Sequence, residues 1–350
     1  MTFRTIAASA LTMMMAMTPL VAAAQDLPQQ NFNVMGTWSN LNPYTNYEAP
    51  FWNKTLPGNS GGKLTATLRS MTELNVKGYE TLALLKQGVF NFGHATIAYV
   101  TGNVPQMEGI DLAAVATDME TSRRNAEAFK ETVNRHLSAR EGVQILALYP
   151  FSSQYIFCRD EISGIADLKG RKIRTSSATH ADFIEGAGAV NVTIPFAEVV
   201  PALQTGVVDC AVTGSMSAYG GKWQEVVKSV YVLPINMGLS ALFVSEQYWN
   251  GLDPAVRDHM AKEIADWENH AWAGLTAEDN EGIACLTGSG ACSAGEPASI
   301  ILVPVSDADL EARNAILQSH VLPRWVSRCG TDCAPEWNET IGKVAGMMIQ

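Results

Sequence analysis

The sequence predicts an α/β protein of two domains or lobes, with helices packed on largely parallel sheets, and three observations carry that expectation. Strand-like and helix-like segments alternate along the chain. The 350 residues, about 325 once a predicted leader is removed, suit two units rather than one. A strand, a helix stopped by Gly206 and a new strand opening at Val207 follow one another without a break.

The leader comes first. Arg4 gives a positive start, Ile6 to Val21 is apolar, and Ala22-Ala23-Ala24 supplies small residues before Gln25. This is the layout of a secretory signal peptide cleaved after about Ala24. It is too short for a membrane anchor, and polar Gln25-Asp26 follow it. No later segment holds about 18 uncharged apolar residues, so the mature protein is expected to be soluble. Without the leader, 23 Lys and Arg face 35 Asp and Glu, a formal charge of −12. So acidic a chain argues against a nucleic-acid partner.

Six cysteines fit an oxidising compartment. Cys285 and Cys292 bracket a Gly-rich turn, and Cys329 and Cys333 flank Gly330-Thr331-Asp332, so each pair reads as a local clip. Cys158 and Cys210 are left to pair across the sequence, although six cysteines allow fifteen connectivities. Zinc is the rival, but no Cys-x-x-Cys or neighbouring His pair supplies its spacing, and no metal is expected.

The first half begins with a strand over Asn33 to Trp38, ending in a loop with Asn42-Pro43-Tyr44. A second strand covers Leu64 to Leu68. A helix from about Gly78 to Lys86 sets Tyr79, Leu82 and Leu85 on one face, and Gln87-Gly88 stops it before Phe90-Asn91-Phe92-Gly93. Helical spacing returns from Ser122 to Leu137, with Ala126, Phe129 and Val133 on one side. A second sheet is expected to start with Gln144 to Leu148 and Tyr155 to Cys158, then Ile173, Val190 to Ile194 and Cys210 to Thr213. Leu233 to Val244 reads as extended. A long amphipathic helix from about Pro254 to Leu275 carries Val256, Met260, Ile264, Trp267 and Ala271, and its Trp267 and Trp272 read as core. Pro201 falls in the first turn of the Gly206-stopped helix, where a missing N–H costs little.

Arg174 ends the strand Lys172-Ile173-Arg174-Thr175 and precedes a Ser176-Ser177 helix start. Ligand groups in open α/β sheets gather at such strand ends, and a guanidinium fork matches a carboxylate. A lone arginine of this kind is otherwise an ordinary salt-bridged or surface residue.

Three linked runs add to this reading. They are Asp167-Leu168-Lys169-Gly170-Arg171-Lys172-Ile173-Arg174, Phe196-Ala197-Glu198-Val199, and Ala202-Leu203-Gln204-Thr205-Gly206-Val207-Val208-Asp209. In order and spacing they resemble the motifs of the solute-binding proteins of TRAP transporters (DctP type). The mature chain fits that family's length, and motif identity concentrates in about residues 160–250. The resemblance implies a two-lobed periplasmic binding-protein fold with mixed sheets flanked by helices, a cleft between the lobes and a long lobe-spanning helix. It implies lobe I over 25–150 with about 237–253 returning to it, lobe II over 151–236, and the long helix and a clipped tail over 254–350. It further implies a periplasmic, monomeric receptor that hands a small organic acid to TRAP-type membrane permease subunits, with no cofactor and no catalysis.

By the same resemblance Arg174 clamps the ligand carboxylate and Phe196 lines the cleft. Thr213 stands where relatives often carry Asn, and Thr96 and Tyr99 match first-lobe contact positions. Ser177 is a further donor or simply an N-cap. Trp38 and Tyr155 are aromatic wall candidates, with Tyr219 and Trp223 behind them. Relatives that bind sugar acids often hold a second basic residue where Asp160 stands here. The adjacent Arg159 is offset by one residue, which turns it to the other side of a strand. One arginine amid aromatic walls suits an aromatic monocarboxylate such as a hydroxybenzoate, with C4-dicarboxylates or small hydroxy acids as the alternative. The rival class is a secreted hydrolase using Ser176, His180 and Asp182. Residues i and i+2 of a helix point apart, and no Gly-x-Ser-x-Gly elbow or His-Glu-x-x-His motif is present.

Overall fold

The structure, a computed structural model, describes residues 27–350; the predicted leader lies outside the described residues. The first strands are β1 (Gln30–Gly36), β2 (Leu64–Ser70), β3 (Phe92–Thr96) and β4 (Val143–Pro150). Then come β5 (Gln154–Cys158), β6 (Lys172–Thr175), β7 (Val190–Thr193) and β8 (Cys210–Gly214). The last are β9 (Ser229–Tyr231), β10 (Leu239–Ser245) and β11 (Ile301–Val303). They form a five-stranded sheet, β2-β1-β3-β10-β4, and a six-stranded sheet, β11-β9-β5-β8-β6-β7. Each sheet with its helices is one lobe.

Period-two burial marks β1, where Phe32 and Val34 are buried while Asn31 and Asn33 face solvent, whereas β8 and β10 are buried along almost their whole length. The sheets are mixed, as the family resemblance implies, rather than largely parallel, as the alternation of elements alone suggests. β1 is parallel to β2 and β3, whereas β10 is antiparallel to β3 and β4. In the second sheet β6 is parallel to β7 and β8, and β5 runs against β8 and β9. β10 arrives straight from the second lobe, without the crossover helix that a parallel entry requires. The segment around Gln144 to Leu148 also belongs to the first sheet, not the second, because β10 pairs along β4 from Leu239↔Pro150 to Ser245↔Val143. Only the last residues of the extended Leu233 to Val244 run enter a strand.

The long helix runs from Pro254 to Thr287, twelve residues past the expected end, between an Asp253 N-cap and left-handed Gly288. At 34 residues it is about 50 Å long. Its first two thirds pack Met260, Ile264, Trp267 and Leu275 into the core with Phe51, Trp52 and Tyr149 of the first lobe. Its last part lies against the second lobe, where a Cβ on Gly282 would sit 2.5 Å from Ser215 Oγ and Met216 N. Between them, Asp279 accepts hydrogen bonds from the backbone and hydroxyl of Ser153, both 2.6 Å, on the crossover from β4 to β5. The tail also joins both lobes. β11 edges the second sheet, while Trp325 and Trp337 donate to Pro105 O and Gly109 O in the first lobe.

The cysteines pair as Cys158–Cys210, Cys285–Cys292 and Cys329–Cys333. Cys158 and Cys210 are direct cross-strand partners on β5 and β8, both fully buried.

Candidate functional site

A cleft with about 670 Å³ of empty space opens between the lobes, lined from both sheets and both crossovers. Gly238 lies on the second crossover with φ +64°, and a side chain there would meet Gln154 Nε2 at 2.5 Å. Glycine is therefore required for this turn.

Arg174 sits at the C-terminal end of β6 and is 2 % exposed. Its Nε donates to Ile194 O at 2.7 Å, Nη1 to Val212 O at 2.7 Å and Nη2 to Tyr99 OH at 3.3 Å. Three of five N–H donors are thus fixed by the protein, leaving two. Among the described residues no carboxylate pairs with this guanidinium. Burial depresses its pKa while Tyr99 and Tyr79 oppose that shift. A buried cation without a counter-charge is costly, and an anion entering the cleft relieves the cost. Tyr99 OH also accepts from Phe196 N at 2.9 Å. With two donors already aimed at its oxygen, its own proton is left for an acceptor in the cleft.

Aromatic rings form one wall. Trp38 meets Tyr99 edge-on at 5.6 Å and Phe151 at 6.1 Å, and leans on Phe196 at 5.5 Å. Phe196 is backed by Trp223, stacked at 5.6 Å and fully buried.

Besides apolar Leu41, Ile97, Ala98 and Leu239, the rest of the lining is polar. His180 Nε2 donates to Asn236 Oδ1 at 2.7 Å, and Asn236 Nδ2 donates to Asp111 O at 3.2 Å. Burial first, with the Arg174 charge adding to it, holds His180 down to about 4, so its ring is neutral. Asp111 Oδ2 accepts from Leu239 N at 2.9 Å, yet burial outweighs its hydrogen bonds and pushes it up to about 7. Glu108 is paired with Arg328 at 2.7 Å, and Arg328 also binds Asp182 at 2.7 Å, tying the first lobe, the tail and the second lobe together.

Of the residues proposed from sequence, Arg174, Thr213, Phe196, Ser177, Trp38, Thr96 and Tyr99 line this one cleft. Ser177 Oγ caps the helix Ala178–Gly186 by accepting from His180 N at 3.1 Å. Tyr155 does not line the cleft. The preceding residue of the same strand, Gln154, lines it instead, since successive strand side chains face opposite sides. The Tyr155 ring packs on the second-lobe core. Trp223 lies behind Phe196, and Tyr219 donates to Glu296 O. Arg159 lies outside the cleft beside Gly206. Ser176, His180 and Asp182 form no relay, since His180 bonds Asn236 and Asp182 pairs with Arg324 and Arg328. Phe151, Glu108, Asp111 and Asn236 were not found from sequence. The Asn236-Met237-Gly238 turn after an apolar run was a signal available for one of them; nothing local marks Asp111.

The fold and cleft define a two-lobed α/β solute receptor. The family model for bacterial extracellular solute-binding proteins of family 7 (DctP) matches residues 34–289, and the chain belongs to that family of TRAP-type, non-enzymatic receptors. It is 29 % identical over 181 residues to the C4-dicarboxylate-binding periplasmic protein DctP of Rhodobacter capsulatus, covering 51 % of this chain. The match takes in 54 % of that relative, about half its length. Among solved structures it resembles DctP6, a Bordetella pertussis extracytoplasmic solute receptor binding pyroglutamic acid. The TM-score is 0.80 at 22 % identity, over 90 % of this chain and 100 % of that one. A Desulfovibrio salexigens TRAP periplasmic solute-binding protein with bound orotic acid gives 0.80 at 16 % identity, over 90 % and 99 %. These two likenesses speak to the fold.

Proposed function

We propose that the exported, monomeric protein captures a small ring-bodied monocarboxylic acid in the periplasm and presents it to a TRAP-type membrane permease. Hydroxybenzoate-like acids are the first choice of ligand. The carrying observation is that Arg174 is the one Lys or Arg lining the cleft among the described residues. Its two remaining N–H groups and the Tyr99 hydroxyl suit one carboxylate. Trp38, Phe151 and Phe196 offer flat apolar surface to a ring, worth about 25 cal/mol per Å² covered. Pyroglutamic and orotic acids, bound by the two structural relatives, are themselves compact ring monocarboxylates.

A C4-dicarboxylate, as in the Rhodobacter relative, would bring its second charge towards Glu108 and Asp111 with no second cation to meet it. Burying that second charge without a partner is costly. Binding would shift the lobes towards the closed arrangement, with the crossovers as hinges. The test is a thermal-shift screen of the mature protein against benzoates, pyroglutamate, orotate, succinate and malate, because a ligand stabilises in proportion to the logarithm of its concentration over Kd. Stabilisation by succinate or malate but by none of the ring acids would overturn the reading.

A further inference from the structure

Two acceptors in the cleft lack a well-aligned donor. His180 is 2 % exposed, and with Nε2 donating to Asn236 its neutral ring presents Nδ1 as an acceptor; that atom is buried and unpartnered. Asp111 Oδ1 is likewise buried with no well-aligned hydrogen bond of its own, although Oδ2 of the same carboxyl is held by Leu239 N and donors of Asn236, Met237 and Gly238 stand near the carboxyl. Thr96 Oγ1 is a third orphan on the lining. Buried acceptors without donors are costly, and elsewhere in this lining polar atoms such as Asn236 Oδ1 and Gln154 Nε2 are satisfied. Orphans gathered in a ligand cleft mark the groups that a ligand completes.

We infer that the ligand carries, besides the carboxylate held by Arg174, a hydrogen-bond donor, an O–H or N–H on its ring, that is read by Asp111 and His180. This rests on the ring-acid reading above and adds to it: the acceptors select among ring acids, whereas Arg174 only holds them. A site built to bond a donor rejects an analogue lacking it far more strongly than an apolar wall rejects a missing methylene, because the acceptor is left unpaired.

The test uses isothermal titration of the mature protein with matched pairs: 3- and 4-hydroxybenzoate against benzoate, and pyroglutamate against its lactone, in which the ring N–H becomes oxygen. The expected result is at least tenfold tighter binding of the donor-bearing member of one pair; whichever pair shows it tells a phenolic from a lactam ligand. In Asp111→Asn the amide oxygen keeps the Leu239 N–H, so the NH2 replaces the free acceptor with a donor. That variant should lose the preference while still binding the analogue that lacks the donor. Equal affinity within both pairs overturns the inference and leaves the ring-acid reading standing. An unchanged preference in a folded Asp111→Asn, combined with an unchanged preference in His180→Phe, also overturns it. Failure of all these acids to bind removes the ring-acid reading and the inference together.

Discussion

Tyr99 of the first lobe accepts a hydrogen bond from Arg174 Nη2 and another from Phe196 N, both in the second lobe. One phenol oxygen thus positions the charge and the wall of the cleft across the lobe boundary. Tyr79 stacks on Tyr99 at 4.5 Å and fixes its ring from the outside. On the proposed function, closure and ligand grip meet at this one side chain.

Arg174→Ala should abolish measurable binding of the cognate acid while the protein remains folded. Truncating one partner of a buried charge pair costs roughly 3–5 kcal/mol, several hundred-fold or more in affinity. Arg174→Lys should bind poorly as well, since a point charge fills neither the fork nor the bonds to Ile194 O and Val212 O. Calorimetry giving near-native affinity for Arg174→Ala would refute the clamp.

Tyr99→Phe removes the shared acceptor and the proton aimed at the ligand. The expected loss is about 1.5 kcal/mol, roughly tenfold in Kd. The thermal midpoint of the free protein should move far less than the affinity does. A variant with weakened stability and intact affinity would assign Tyr99 to packing alone.

Breaking Cys158–Cys210 should destabilise more than breaking Cys285–Cys292. The first closes a sequence separation of 52 and the second one of 7. The chain-entropy model assigns about 4 kcal/mol and about 2.5 kcal/mol respectively. Urea unfolding of the Cys158→Ser/Cys210→Ser and Cys285→Ser/Cys292→Ser double variants decides it, and equal midpoints would contradict the ranking.

Glu48 gives the fold a pH signature. It is fully buried and accepts from Thr37 N, Thr37 Oγ1 and Tyr149 OH, yet burial still pushes it up to about 7. A carboxyl whose folded pKa is raised stabilises the fold below its unfolded pKa of about 4.5 and loses that stabilisation as pH rises to about 7. The swing is about 3 kcal/mol. His94 and His180, held down to about 3 and about 4, act in the opposite sense, costing stability as pH falls below about 6.5. The difference between the wild type and Glu48→Gln therefore isolates the carboxyl. Unfolding free energies from pH 5 to 8 should fall less steeply in the variant, and parallel curves would contradict the shift.

The sequence by itself determined what is local. Alternating Asn and apolar residues made β1, Gly206 ended a helix before β8, and Asp253-Pro254 started the long helix. The run ending in Arg174 put a guanidinium at a strand end because that position follows from strand length alone. Cysteine spacing suggested two clips, and the structure supplies the pairing. Tertiary structure decided what depends on which strand lies beside which. It put β4 in the first sheet and reversed β10, because pairing partners are chosen by burial across lobes and not by neighbouring residues. It put Gln154 in the cleft and left Tyr155, the next residue of the same strand, outside it. It also brought Asp111, from a loop with no motif, beside the Asn236–Gly238 crossover more than a hundred residues later. No spacing rule links those positions; only the packing of two lobes around a shared cleft makes them one polar surface.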